Sequence, residues 1–337
     1  MSSEQQTVAG LSEGELLARI FPRLNHSGSV LLGPGDDAAV VASPDGRALI
    51  SIDTQTQDQD FRLVWNNGYR TTGYDVGWKA AAQNLSDINA MGGTATSVVV
   101  SLTMPADTPV RWVEDFADGL TAGIIGLGAA DCSVAGGDLG RGREIAVTVA
   151  VVGTMHGLPP VLRSGARSGD VLALAGTVGR AAAGLALLES AVPVQDLTPV
   201  QRGLLDSQCR PEPPLAAGPR GAKAGATAMM DVSDGLLRDG GRLAKASGVV
   251  LELDSVALKA LAAPLEQASA LLDCDPMDWI LGGGEDHGLL ATFPAGVQLP
   301  SGFTAIGSVQ AVAVGQQSGV RIAGIPADTV GWDHFAD

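Results

Sequence analysis

The chain has 337 residues, of which 45% are hydrophobic, so it can bury cores for about two domains. Its formal net charge of −16 excludes nucleic acid and anionic membrane as natural partners, and no apolar run is long enough to cross a bilayer. Cys132, Cys209 and Cys274 are too scattered for a disulfide framework or a zinc site, and MSSEQQTVAG lacks the basic and apolar regions of a signal peptide, which points to a cytoplasmic protein.

Helical and strand signals mix along both halves. Ser12 and Glu15 make a capping-box pair for a helix through about Phe21. GPGDDAAVV, from Gly33, leads into a strand, and ALISIDT at 48–54 predicts another. The polar stretch from Gln55 to Gly73 predicts an active-site loop. Helix signals resume from Asp75 to Met91 and stop at the pair Gly92–Gly93. TSVVVSLTM is a β-branched strand, after which Thr108 and Pro109 read as the N-cap and first residue of a long helix. EIAVTVAVVGT is a buried strand. GLPPVLRSGARSGD at 157–170 has a linker's composition and separates a domain 1–155 from a domain 156–337. The second domain reads as strand DVLALAG, helix RAAAGLALLES, the connection RPEPPLAAGP, strand ATAMMDVS, helix DGLLRDGGRLAKASG, strand VVLELD, helix DPMDWILGG, strands HGLLATF and FTAIGSV, and the aromatic tail GWDHF. The class is α/β (α+β). There is no P-loop and no GxGxxG after a strand, so any nucleotide is held another way.

The acids carry the chemistry. Asp36, Asp37, Asp53, Asp87, Asp138, Asp231 and Asp234 fall almost entirely in glycine- or serine-rich punctuation, where strands and helices begin and end. Single carboxylates at many element ends suit a hard cation such as Mg²⁺, which takes oxygen ligands, keeps waters and brings substrate phosphates. In DVSDG, Asp231 and Ser233 share a strand face and Asp234 heads the next helix. An N-cap role explains Asp234 but not Asp231, which ends an apolar strand. SIDT places Ser51 and Asp53 on one face. Ala80, Asn84, Asp87 and Met91 share a helical stripe, so Asp87 interrupts a face that should be buried. AGGD at 135–138 and GGGED at 282–286 present acids after glycines, while GPGDD, taken alone, is better read as a plain Asx-turn. Arg163 and Arg167 are either surface residues or phosphate clamps, with Lys79 and Arg141 behind them. His26, His156, His287 and His334 form neither a metal spacing nor a triad, and no residue reads as an activated nucleophile.

GPGDDAAV, SIDT, KAAAQNLSDINAMGG, AGGDLGRG, RSGARSGD, DVSDG, GGGEDHGL and GWDHF occur in the order seen in the thiamine-monophosphate kinase family of the aminoimidazole ribonucleotide synthetase superfamily, and the chain resembles that family from about Gly33 to Phe335. The resemblance implies a two-domain fold with an N-terminal mixed-sheet domain that binds ATP and metal and forms a homodimer, and a C-terminal α/β domain. It implies ATP-dependent conversion of thiamine phosphate to thiamine diphosphate with several Mg²⁺ ions. By motif position Asp37, Ser51, Ile52, Asp53, Asp87, Asp138, Asp231 and Asp234 fall on metal positions, Ile52 through its carbonyl alone. Gly137, Asp138, Arg163 and Ser233 fall on nucleotide positions, and Glu285 and Trp332 on substrate positions. Asp60 stands where the family commonly has His, and His287-Gly288 replaces a more usual Tyr-Glu. Other enzymes of the superfamily are rivals, although selenophosphate synthetase carries a reactive Cys near its N-terminus and the first Cys here is Cys132. A non-catalytic metal- and nucleotide-binding scaffold is the rival of another class.

Overall fold

A computed structural model describes residues 6–7, 10–11, 13–25, 27–28, 30–32, 40–43, 45–328 and 331. Ser12, Asp36, Asp37 and the tail from Trp332 lie outside the described residues. The chain forms two compact units, one of Met1–Ile88 with Thr94–Gly157, the other of Asn89–Gly93 with Leu158–Asp337.

The first unit runs α1 (Glu13–Ile20), β1 (Val30–Leu32), β2 (Val40–Val41), β3 (Leu49–Thr56), α2 (Gly73–Ala90), β4 (Thr94–Met104), α3 (Val110–Gly126), β5 (Ser133–Arg141) and β6 (Ala146–Thr154). The last two residues of α2 belong to the second unit. Four strands form one sheet in the order β3-β6-β4-β5, antiparallel except for β4 beside β5. Val147, Val149 and Val151 alternate along β6 toward a buried face. α2 covers that face, and α3 packs on α2 through glycines. A Cβ at Gly77 would lie 2.1 Å from the Phe116 carbonyl oxygen, and one at Gly119 2.1 Å from that of Tyr74.

Two expectations change here. Thr108 does not cap α3. The cap position is Pro109, and the Val110 N–H is satisfied by the Gln6 carbonyl at 2.9 Å, so no side-chain cap is required. AGGD is not a turn but the middle of β5. Its glycines let strands approach: a Cβ at Gly137 would lie 2.2 Å from the Val100 carbonyl oxygen.

The second unit runs β7 (Val171–Ala175), α4 (Arg180–Glu189), α5 (Pro199–Cys209), α6 (Ala217–Lys223), β8 (Ala228–Val232), α7 (Leu236–Ser247), β9 (Val249–Leu253), α8 (Ser255–Ala262), α9 (Glu266–Leu272), α10 (Pro276–Gly282), β10 (Gly288–Phe293), β11 (Phe303–Ala311), β12 (Gly319–Ile322) and β13 (Ile325–Pro326). Its sheet has the order β13-β12-β9-β11-β7-β10-β8, with β9 and β12 parallel and the other pairs antiparallel. Central strands β7 and β10 are apolar on both faces, and Phe293 meets Phe303 edge-on at 5.1 Å between centroids. The stretch expected to be a linker is docked on this unit. The Leu162 carbonyl accepts from Met229 N at the start of β8, and a Cβ at Gly165 would lie 1.8 Å from the Thr227 carbonyl oxygen. Its prolines and glycines serve close packing rather than freedom.

Candidate active site

In the first unit three polar residues line the inner face of β3. Ser51, Asp53 and Gln55 alternate with the exposed Ile50, Ile52 and Thr54. Across from them α2 presents Lys79, Gln83 and Asp87, four residues apart and so on one stripe. Ser51 Oγ donates to Asp87 Oδ2 at 2.5 Å, and Gln55 Nε2 to Gln83 Oε1 at 3.1 Å. The expected pairing of Asp87 with Ala80 and Asn84 on one buried stripe is thus corrected: Asn84 is buried and donates to the Ala80 carbonyl, whereas Asp87 is half-exposed toward β3. Gln55 is 2% exposed, yet its Oε1 has no hydrogen-bond partner. That orphaned oxygen beside two carboxylates and a hydroxyl is a donor set suited to a hard cation.

Ile52 and Asp138 stand apart from this set. Ile52 points to the outer face of the sheet, 62% exposed. Asp138 is exposed on β5 and pairs in register with Ser101, which in turn pairs with Thr148 and that with Thr54, all on the outer face. β3 and β5 are the two edges of the sheet, about 14 Å apart at the usual strand spacing. Gly137 precedes Asp138 with its Cα against the Val100 backbone.

Asp60 lies in the turn after β3. Its Oδ2 accepts from Thr56 N at 2.7 Å, and the Asp60 carbonyl accepts from the buried Lys79 ammonium at 3.1 Å. These contacts close the turn and hold the loop against α2.

In the second unit two glycine-rich acid motifs fold onto one another. β8 and β10 pair with Asp231 opposite Leu289 and Val232 opposite Gly288. Just beyond the ladder Glu285 N donates to the Ser233 carbonyl at 2.9 Å. Asp231 is 6% exposed, and His287 Nδ1 stands 3.5 Å from its Oδ2. Glu285 and His287 take positive φ angles of 71° and 53°, uncommon for such residues and a mark of a site that constrains them.

Asp234 does not cap α7. Gly235 takes the cap position, with φ 115°. The Asp234 carboxylate instead accepts from the Arg242 guanidinium at 2.6 Å, which also donates to Asp239 at 2.7 Å. Asp239 returns an oxygen to Asp234 N at 2.8 Å. Burial, then the charges of Asp234 and Asp231, push the Asp239 carboxyl up to about 6, against the Asp234 N–H and Arg242. Gly331 passes over this end of α7, where a Cβ would lie 2.4 Å from the Asp234 carbonyl oxygen. Arg163 is exposed near the far end of α7, where its carbonyl accepts from Ser247 Oγ at 2.7 Å; the helix is 12 residues long, about 18 Å.

Four neighbours of these residues are not singled out by the sequence reading. Gln55 continues the strand alternation of Ser51 and Asp53, a period of two that reveals it. Arg238 and Arg242 follow Asp234 and Asp239 at helical spacings of four and three, a charge pattern legible in LLRDGGR. Asp286 is a buried cap: it accepts from Thr177 Oγ1 at 2.8 Å, Ala181 N at 3.0 Å and Arg180 N at 3.2 Å at the start of α4. Among the described residues no three His, Cys, Asp or Glu side chains cage a metal by themselves.

Residues 35–155 match the family model for AIR synthase related protein, N-terminal domain. The thiamine-monophosphate kinase of Mycobacterium tuberculosis is 43% identical over 311 residues, covering 92% of this chain and 88% of that protein. The crystal structure of thiamine-monophosphate kinase from Stenotrophomonas maltophilia is 30% identical, with a TM-score of 0.75, over 93% of this chain and 96% of that one. AaThiL complexed with AMPPCP and TMP is 31% identical, with a TM-score of 0.74, over 89% of this chain and 91% of that one. With relatives this similar along nearly its whole length, the chain belongs to the thiamine-monophosphate kinase family.

Proposed function

We propose that the chain transfers the γ-phosphoryl group of ATP directly to the phosphate of thiamine phosphate, forming thiamine diphosphate, with Mg²⁺ held by its acids. The observation that carries this reading is the likeness to a relative solved with an ATP analogue and TMP over 89% of this chain. The first unit is the ATP- and metal-binding domain. Ser51, Asp53 and Asp87 offer metal oxygens at the inner face of β3 and Asp37 is a further ligand; the Ile52 carbonyl and Asp138, which stand apart from that set, would serve another ion, and Asp231 and Asp234 serve in the second unit. Gly137, Asp138, Arg163 and Ser233 contact the nucleotide. Glu285, Trp332 and Asp60 bound the acceptor site.

Bound Mg²⁺ supplies the charge compensation that lets two polyanions approach, which is most of the catalysis in phosphoryl transfer. The remaining work belongs to the chain. Ser51 fixes the Asp87 carboxylate, and Arg242 fixes that of Asp234. The acceptor phosphate loses its second proton near pH 6, so at neutral pH it attacks without a general base. No thiol substitutes as nucleophile in the first unit, because burial pushes Cys132 up to about 12.

The homodimer reading rests on the outer face of the first sheet. Ile50 and Ile52 are 73% and 62% exposed beside Val99, Ala150 and Val152, an apolar patch of the kind a second copy covers. No helix among the described residues is long and apolar enough to cross a membrane, and a cytoplasmic setting fits the substrates.

The test is to incubate the protein with ATP, Mg²⁺ and thiamine phosphate and quantify ADP and thiamine diphosphate. Equal yields of the two are expected. ADP without thiamine diphosphate would point to another acceptor, and neither product would favour a binding scaffold.

A further inference from the structure

A cleft of about 740 Å³ opens on the second unit between the exposed side of α7 and the segment around β12 and β13. Arg238, Arg242 and Lys245 follow one another at helical spacings of four and three, so they share one stripe of α7 along its wall. Gly241 leaves the middle of that wall bare, since a Cβ there would meet nothing within 4 Å. Arg321 and Gln316 contribute to the opposite side, joined by a hydrogen bond from the guanidinium to the amide oxygen. Among the described residues four cations and no carboxylate line the cleft, in a chain with 37 acids against 21 Lys and Arg. The local field is therefore opposite in sign to that of the whole protein. Acids do answer two of these cations, Asp234 facing both Arg238 and Arg242 and Asp239 facing Arg242, but both acids lie toward the N-terminal end of α7, at the margin. Among the described residues the Lys245 ammonium has no hydrogen-bond or ion-pair partner.

We propose that this cleft binds a small phosphate-bearing anion at a position distinct from the carboxylates assigned to phosphoryl transfer. Guanidinium forks match tetrahedral oxyanions two bonds at a time, and a lysine adds a point charge. The volume is far larger than a single inorganic ion needs and admits a diphosphate or the phosphate end of a small metabolite. Because Arg242 is shared with Asp234, an occupant drawing on that guanidinium is linked to the state of the Asp234 carboxylate, and the coupling is reciprocal.

Calorimetric titration of pyrophosphate into the full chain tests this, in low-salt buffer free of metal and nucleotide. Without metal the acid set repels polyanions, so the cleft alone reports, and no turnover is required, which keeps the outcome independent of the kinase reading. One site per chain is expected. Lys245→Glu and Arg321→Glu, both changes at the protein surface, should each weaken it roughly tenfold or more, while Asp87→Asn should leave it unchanged. Lys245→Met and Arg321→Met serve if a charge reversal disturbs folding. Absence of saturable binding would overturn the proposal. So would equal binding by the Lys245→Glu/Arg321→Glu double variant, or binding that Asp87→Asn alters.

Discussion

A Cβ placed on Gly284 would lie 2.1 Å from the carbonyl oxygen of Ser233, and the next residue, Glu285, donates its N–H to that same oxygen. DVSDG and GGGED are thus one folded feature, closed by a glycine that nothing larger can replace. Gly284→Ala is expected to destabilise the second unit by about 2–4 kcal/mol and to lower turnover in the protein that remains folded. Gly241→Ala is the control. Its Cβ meets nothing, so on α7 it should be neutral or stabilising by up to about 1 kcal/mol. Urea unfolding of both variants checks this, and equal effects would contradict it.

Asp286 gives a pH signature with a definite sign. Burial raises its carboxyl above the ordinary value, against the hydrogen bonds from Thr177, Ala181 and Arg180 that lower it. A raised carboxyl keeps its proton in the folded chain where the unfolded chain has already lost it. The folded state then binds more protons, so this group's contribution to stability falls as pH rises from about 4, the unfolded carboxylate range. Asp286→Asn is neutral at every pH and should lose less stability than the parent as pH rises above about 4 in thermal melts. Identical pH slopes in the two proteins would show that the group does not titrate as described.

Trp332 and Asp60 separate acceptor binding from turn closure. Trp332→Ala is expected to raise the KM for thiamine phosphate and not that for ATP, because a flat side chain can stack on the thiamine rings with a cation–π contribution from the thiazolium. The Asp60 carboxylate already accepts the Thr56 N–H, so Asp60→Ala should also cost about 1 kcal/mol of stability. If Asp60→Ala lowers stability and leaves both KM values alone, position 60 is a turn residue and not an acceptor contact.

Direct transfer forbids a covalent intermediate. Incubation with γ-labelled ATP and Mg²⁺, without acceptor, should leave the protein unlabelled. A stoichiometric label on any side chain would contradict the direct step.

Much of the site was legible because its chemistry uses short-range rules. Strand alternation placed Ser51 and Asp53 on one face, and both were found there with Asp87 across from them. What failed depended on partners distant in sequence. Thr108 lost its capping role because Gln6, 104 positions before Val110, supplies the acceptor for the Val110 N–H. AGGD read as punctuation because glycine signals a turn and a tight strand contact alike, and only the Val100 backbone beside Gly137 decides between them. The cap alternative for Asp234 falls away because Gly235 takes that position, while Arg242, two turns on, holds the Asp234 carboxylate. Helices α5, α6, α8 and α9 were missed, α6 because it begins inside the proline-rich stretch read as a connection, and α5 although Thr198 with Gln201 forms a full capping box for it.

The central claim is that carboxylates of this chain hold Mg²⁺ for transfer of phosphate from ATP to thiamine phosphate. The most direct measurement is thiamine diphosphate formation as a function of Mg²⁺ for the parent, Asp87→Asn and Asp231→Asn, with circular dichroism confirming that each variant is folded. The account predicts turnover that is absent without divalent metal, present in the parent with Mg²⁺ or Mn²⁺, and lowered by a factor of about 100 or more in each variant. Metal-independent turnover, or full activity in both folded variants, would contradict it.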